Sequence, residues 1–168
     1  MKNQAHWLLS ILLGLGALAS QGLAQCEVQK LTASNAGCYD KYGQAVAIDG
    51  TTALVGAYLH DGGEANTGSV YVYELTPAGW VQTAELVSGD PNLGDTFGEA
   101  VAISGDTALV TAPGDDEAGG AAGAAYIFKR TAGVWVQTQK LFASDAGSGA
   151  WWGESASMSG DRAIIGNR

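Results

Sequence analysis

Two acidic loops, one of them opening on a histidine, hold the residues of this 168-residue chain whose types could do chemistry. The first loop reads His60-Asp61-Gly62-Gly63-Glu64 and the second Asp115-Asp116-Glu117-Ala118-Gly119. Calcium takes hard oxygen ligands, and a loop that holds it places them at alternate positions around a glycine turn. On that ground Asp61, Glu64, Asp115, Asp116 and Glu117 are the candidate calcium ligands. The alternation is incomplete in both loops: Asp115 and Glu117 are suitably spaced, but Gly119 holds the next alternate place. The competing reading is a solvated acidic turn that keeps the surface soluble, and the spacing favours it.

Catalytic readings find less support. His60 stands where the second loop has Asp115, and the sequence shows no partner for it, so it reads as a surface residue. No Ser/His/Asp set, His-Cys metal cluster or phosphate-cradling loop is present. Glu99 and Glu154 lie beside a recurring glycine, where Gln44 stands earlier. A carboxylate alternating with an amide suits backbone hydrogen bonding at a strand start better than acid–base work. Trp151-Trp152 has the makings of a sugar-stacking platform. Trp152 aligns with Tyr42 and Phe97, so packing accounts for it, whereas Trp151 carries no such constraint. The expectation is a protein with no catalytic residues and no cofactor, calcium being the open alternative.

These residues are positioned by a repeat. Tyr42-Gly43, Phe97-Gly98 and Trp152-Gly153 follow one another at intervals of 55 residues. Gly50, Gly105 and Gly160 keep the same register, as do Leu31, Leu86 and Leu141, and Trp80 and Trp135. A fixed period of this size means one supersecondary unit stacked on copies of itself. The second copy shows the unit most clearly. Phe97 to Ile103 is a short strand with alternating alanines, and Ser104-Gly105-Asp106 is a tight turn. Thr107–Ala112, Ala124–Lys129 and Val134–Leu141 are three further strands. The first copy gives Gly43–Ile48, Thr52–Ala57, Ser69–Leu75 and Trp80–Leu86. The expected class is therefore all-β, with propeller-type blades of four antiparallel strands and about two and a half copies of the repeat. A β-solenoid or a β-sandwich is the alternative. Trp80 and Trp135 are expected to pack between blades.

Twenty-five glycines suit a turn-rich β protein. The formal charge is −9. No basic stripe is present, which argues against nucleic acid, and an anionic membrane would repel this surface. Residues 1–24 read as a signal peptide, with Lys2, the apolar run Trp7 to Ala19 and the small-residue site Gly22-Leu23-Ala24. An uncleaved anchor is one alternative, and lipid attachment at Cys26 is another that Gln25 disfavours. Export would place the chain outside the cell, at its surface or in the periplasm. In such an oxidising compartment Cys26 and Cys38, the only cysteines, are expected to bridge. The expected organisation is 1–24 leader, 25–30 a strand ahead of the first repeat, then repeats at 31–85, 86–140 and 141–168, the last incomplete.

Two marks in each copy resemble a known family. Phe97-Gly98 opens the first strand and Thr111-Ala112-Pro113 closes the second; the first copy has Tyr42-Gly43 and Gly56-Ala57-Tyr58, and the third Trp152-Gly153 and Gly166-Asn167-Arg168. Together they resemble the FG-GAP repeat, the unit of the β-propeller in integrin α-subunit heads and in many secreted bacterial proteins. The resemblance covers Leu31 to Arg168, although the proline is present only in the second copy. It implies an extracellular seven-bladed propeller used for recognition or adhesion, and some integrin blades hold calcium in a loop. The chain is read as part of a longer, truncated propeller, self-association being the alternative. Glu27 to Leu31 align with a fourth strand that could latch a complete ring, and the chain by itself is expected to form an open arc or larger species. Partners implied are an extracellular protein or glycan, the remaining blades or further copies. A larger enzyme whose active site lies outside this chain is the second function class.

Two outcomes check the export reading. N-terminal sequencing of secreted material is expected to start at Gln25, and a non-reduced digest is expected to yield Cys26 linked to Cys38. A cytosolic chain beginning at Met1, or two alkylatable thiols in oxidised material, would contradict it.

Overall fold

The computed structural model of the chain describes residues 29–35, 37–62 and 64–167. The expected leader and Cys26 lie outside those residues, and Cys38 is exposed. The described residues form ten strands and no helix. They are β1 Val46–Asp49, β2 Thr52–Ala57, β3 Ser69–Thr76, β4 Gly79–Leu86, β5 Val101–Ser104, β6 Thr107–Ala112, β7 Ala124–Thr131, β8 Val134–Leu141, β9 Ser155–Ser159 and β10 Arg162–Gly166. Two four-stranded antiparallel sheets run β1-β2-β3-β4 and β5-β6-β7-β8, and β9 pairs with β10 in a third. These are propeller blades, two of four strands and one represented by a hairpin.

The backbone repeats as faithfully as the sequence. Gly50, Gly105 and Gly160 turn the first hairpin of each copy at φ of 56°, 56° and 60°. The third and fourth strands carry a bulge at the same place, between Val72 and Tyr73 and between Ile127 and Phe128. The first strand is shorter than the sequence reading, starting at Val46 and Val101 rather than at Gly43 and Phe97. The reason is local: Gly43 and Gly98 have φ of 88° and 96°, outside extended conformation.

Alternation along each strand sends one set of side chains to each neighbouring blade. Leu54, Val70 and Val72 face the second blade and meet Val101, Ile103, Ala108, Val110, Tyr126 and Phe128 in one core. On the opposite face of the second blade, Ala102, Leu109 and Ala125 pack with Trp152, Met158 and Ile165. Both faces of the central strands are thus covered, which is why they read as continuous apolar runs. Trp135 packs against the core between the first two blades, whereas Trp80 packs on the first blade's outer face.

Hydrogen bonds staple the blades at both ends. The amides of Gly94, Thr96 and Phe97 donate to the carbonyls of Ala65, Asn66 and Thr67, at 3.1, 3.1 and 2.9 Å. One repeat later Gly149, Trp151 and Trp152 donate to Gly120, Ala121 and Ala122, at 2.8, 3.0 and 3.2 Å. At the other end the Gly105 amide donates to Asp49 Oδ2 at 2.6 Å, and that of Gly160 to Ser104 Oγ at 3.0 Å. Arg130 of the second blade adds ion pairs to Glu74 of the first and to Asp106 of its own.

The outer faces differ from the inner ones in exposure, not in composition. Val46 and Ile48 are 67% and 64% exposed, and their counterparts Val101 and Ile103 are 7% and 8%. Ile164 is 78% exposed, where Leu54 and Leu109 are fully buried. Of the expected strand at 25–30, residues 25–28 lie outside the described residues, and 29 and 30 are not assigned to a strand. A fourth strand pairs with the third strand of its own blade, and among the described residues no such strand pairs with 29 and 30. Gln29 instead bonds the Trp80 backbone through both side-chain ends, at 2.8 Å each. The Ser34 amide donates to Gln82 Oε1 just as Gly89 donates to Gln137 Oε1. Residues 29–35 therefore cap the first blade as 84–90 cap the second.

Gly68 and Gly123 mark the tightest approach between blades. A Cβ on Gly68 would overlap the Phe97 carbonyl, and one on Gly123 the Trp152 carbonyl. Gly105 also has positive φ, but a Cβ there meets open space. Both Gly68→Ala and Gly105→Ala incur the left-handed penalty of about 1 kcal/mol, and only Gly68→Ala also forces the blades apart. Denaturant unfolding is expected to show Gly68→Ala costing at least about 2 kcal/mol more than Gly105→Ala. Equal losses would contradict the junction's role.

Candidate functional site

The chemistry-bearing residues of the sequence gather at one end of the blades, where the loops after the second strands meet the entry loops. Each complete blade builds a polar clasp there. In the second blade the ammonium of Lys140, on β8, lies 2.5 Å from Asp90 Oδ2, 2.8 Å from Asp115 Oδ2 and 2.6 Å from Glu117 Oε2. The Tyr126 hydroxyl donates to Asp115 Oδ2 at 2.8 Å, and the Glu117 amide to Asp115 Oδ1 at 3.2 Å. Burial works against the charge on Lys140, but the hydrogen bonds it donates to Asp115, Asp90 and Glu117 hold its pKa well above the usual lysine range.

In the first blade the corresponding place of Asp115 is taken by His60, and that of Lys140 by Glu85. His60 Nδ1 lies 2.7 Å from Asp40 Oδ2, and Nε2 lies 3.7 Å from Glu85 Oε1 and 3.3 Å from Asn35 Nδ2. Tyr71 donates to Asn35 Oδ1 at 2.8 Å. Burial works against ionising Asp40, but the Gly37 amide and His60 outweigh it and hold its carboxyl below the usual range.

These positions correct two readings of the sequence. Asp115 is not in a solvated turn: it is 1% exposed and ion-paired to Lys140. His60 is not a partnerless surface residue, since Asp40 and Glu85 flank it. In each case the partner lies some twenty or more residues away and is delivered by the antiparallel return of the chain. Local spacing could not reveal it, although the aligned swap of His60/Glu85 for Asp115/Lys140 was there to read. Asp61 accepts the Asn66 amide at 2.9 Å in an exposed turn, and Glu64, Asp116 and Glu117 are exposed. Among the described residues no group of three or more His, Cys, Asp or Glu is arranged to hold a metal ion. No helix among them is long and apolar enough to cross a membrane.

Beside the clasps, at the junction of the second and third blades, a cleft of about 310 Å³ opens. Its walls are Tyr58, Thr96, Glu99, Pro113 and the segment Gly149-Ala150-Trp151, with Glu154. Thr96 and Trp151 are repeat counterparts, with Lys41 as the third. All three hold left-handed backbone, at φ of 57° for Lys41, 58° for Thr96 and 50° for Trp151. Trp152 next to it is packed into the blade core, as the sequence suggested, and Trp151 remains 46% exposed. Glu99 and Glu154 fall together in this cleft, one from each blade. An aromatic face flanked by carboxylates and a hydroxyl is equipped to hold a ligand.

Asp95, the counterpart of Asp40, gives the clasp region a pH signature. It is 1% exposed, and burial pushes its carboxyl up to about 6, with Asp115 adding to the rise and the Asn92 amide and Lys140 opposing it. A carboxyl raised in the folded state favours the protonated form, so its contribution is greatest below the unfolded value of 3.8 and is lost as pH rises through about 6. Asp95→Asn is expected to match the natural chain near pH 4 and to exceed it above pH 6, by up to about 3 kcal/mol. Unfolding curves across that range check this; a gap that does not widen with pH would contradict it.

The comparisons agree with the blade architecture. The FG-GAP repeat family matches residues 26–73, 80–128 and 135–168. The second and third matched units start at β4 and β8 and run into the following blade, so each straddles a stapled junction. Among curated proteins none matches the chain. With three matched units in register with its blades and spanning most of its length, the chain belongs to the FG-GAP repeat family.

Proposed function

We propose that this chain is an exported binding or adhesion module, whose blades hold a recognition surface and perform no chemistry of their own. The observation that carries the reading is the contrast between clasp and cleft. Two groups that could have acted as acid, base or calcium ligand are engaged in the clasps: Asp115 with Tyr126 and Lys140, and His60 with Asp40. The Trp151 ring is held half-exposed on the cleft wall instead. Asp115, with both oxygens already occupied, supports a module that works without calcium.

Export is supported by Lys2, the apolar run Trp7 to Ala19 and the Gly22-Leu23-Ala24 site. The partner is an extracellular protein or glycan, and the net charge of −9 argues against polyanions. Secreted chain, immobilised and presented with purified matrix proteins and arrayed glycans with and without a chelator, is expected to bind at least one of them saturably in both conditions. The ligand is expected to come off unchanged. Conversion of a ligand in proportion to chain concentration, or binding abolished by the chelator, would overturn the reading.

A further inference from the structure

We propose that the cleft between the second and third blades is a carbohydrate subsite, in which a neutral pyranose ring stacks on Trp151. This rests on the binding function proposed above and names its ligand class.

The argument starts from a place where the chain abandons its own repeat. In the first two copies an aspartate closes the entry loop. Asp40 Oδ2 accepts the Gly37 amide and Asp95 Oδ2 the Asn92 amide, at 2.7 Å each. The third copy has Ala150 at that place and Trp151 after it, where the others have Lys41 and Thr96. The loop itself is unchanged: the Ala150 amide donates to the Gly147 carbonyl as that of Asp95 donates to Asn92. The third copy has thus given up that side-chain hydrogen bond and set a large aromatic beside it.

Packing does not explain the replacement. Trp151 is 46% exposed, and the core of its junction is made by Trp152 with Leu109, Ala125, Met158 and Ile165. Nor does the backbone ask for it, since φ of 50° is costly for any residue with a Cβ, and asparagine or glycine would meet it more cheaply. The Trp151 amide is fixed on the Ala121 carbonyl at 3.0 Å, so the indole springs from a pinned backbone. A large, half-exposed aromatic set at a left-handed backbone position that the junction core does not require is the kind of local feature that serves a site.

The other walls state the ligand's chemistry. Glu99 and Glu154 bring carboxylate oxygens, and the half-buried Tyr58 brings apolar surface. A pyranose offers a C–H face that lies on an indole and hydroxyls that donate to carboxylates. The cleft of about 310 Å³ is at the small end of ligand pockets, the scale of one or two sugar rings. Carboxylates on the walls and a net charge of −9 turn away uronic and sulfated sugars, which leaves neutral glycans.

The test is a titration of the exported chain followed by the indole N–H signals of its tryptophans, that of Trp151 assigned by its loss in Trp151→Phe. Neutral gluco-, manno- and galacto-oligosaccharides are the probes, with heparin fragments and arginine amide alongside. At least one neutral series is expected to move the Trp151 signal saturably. Trp151→Ala is expected to weaken that binding at least tenfold with an unchanged melting temperature, and heparin fragments are expected to leave the signal in place. No movement with any neutral sugar, movement with arginine amide alone, or undiminished sugar binding by Trp151→Ala would overturn the assignment. A chain that binds a sugar elsewhere, or a protein only, defeats this subsite and leaves the binding function standing. A chain that hydrolyses the sugar defeats that function instead.

Discussion

Everything in this structure depends on how closely one blade's entry turn can approach the blade before it. The approach is set by Gly68 against Phe97 and by Gly123 against Trp152. With no side chain in the way, three amides of the entry loop reach three carbonyls of the preceding loop. The same docking drives the aromatic ring into the junction, where Phe97 meets Tyr126 edge-on at 5.3 Å and Phe128 at 6.0 Å. Hydrogen bonds made under a buried ring are shielded from water, and a ring anchored by its own backbone loses little further freedom on packing. The two effects support each other, and this explains why an aromatic and a glycine recur together.

The clasps solve a second problem, that of holding long loops against the sheet end. Both blades do so by pairing a loop group with a fourth-strand group: His60 with Glu85 in one, Asp115 with Lys140 in the other. The sheet fixes where the two side chains meet, and the chemistry asks only that the pair be complementary. A buried carboxylate without its cation is a large loss, so the two positions must change together. That coupling is visible only once the strands are paired.

The fold was largely legible in the residues, because glycine turns and apolar alternation are local and recur in register. Gly50, Gly105 and Gly160 located the hairpins, and Thr52–Ala57 and Thr107–Ala112 matched their strands. The first strands were read as too long because left-handed backbone at the glycine after the aromatic leaves no trace in hydrophobic pattern. The site was less legible. Trp151 stood out as unconstrained, and Glu99 and Glu154 as a recurring pair, but their meeting in one cleft is a product of blade stacking. His60 and Asp115 were misjudged as solvated for the same reason: the groups that bury them come from other strands.

The most direct measurement of the central claim is amide hydrogen exchange at Phe97 and Trp152. Both amides lie in loops, and by local structure alone they would exchange as quickly as any turn. If the blades are coupled through these turns, both amides exchange as slowly as those of Leu54 and Leu109 in the central strands. Exchange at the rate of the exposed Asp61 turn, with the strands still protected, would show that the blades fold side by side without the junction that this account places at their centre.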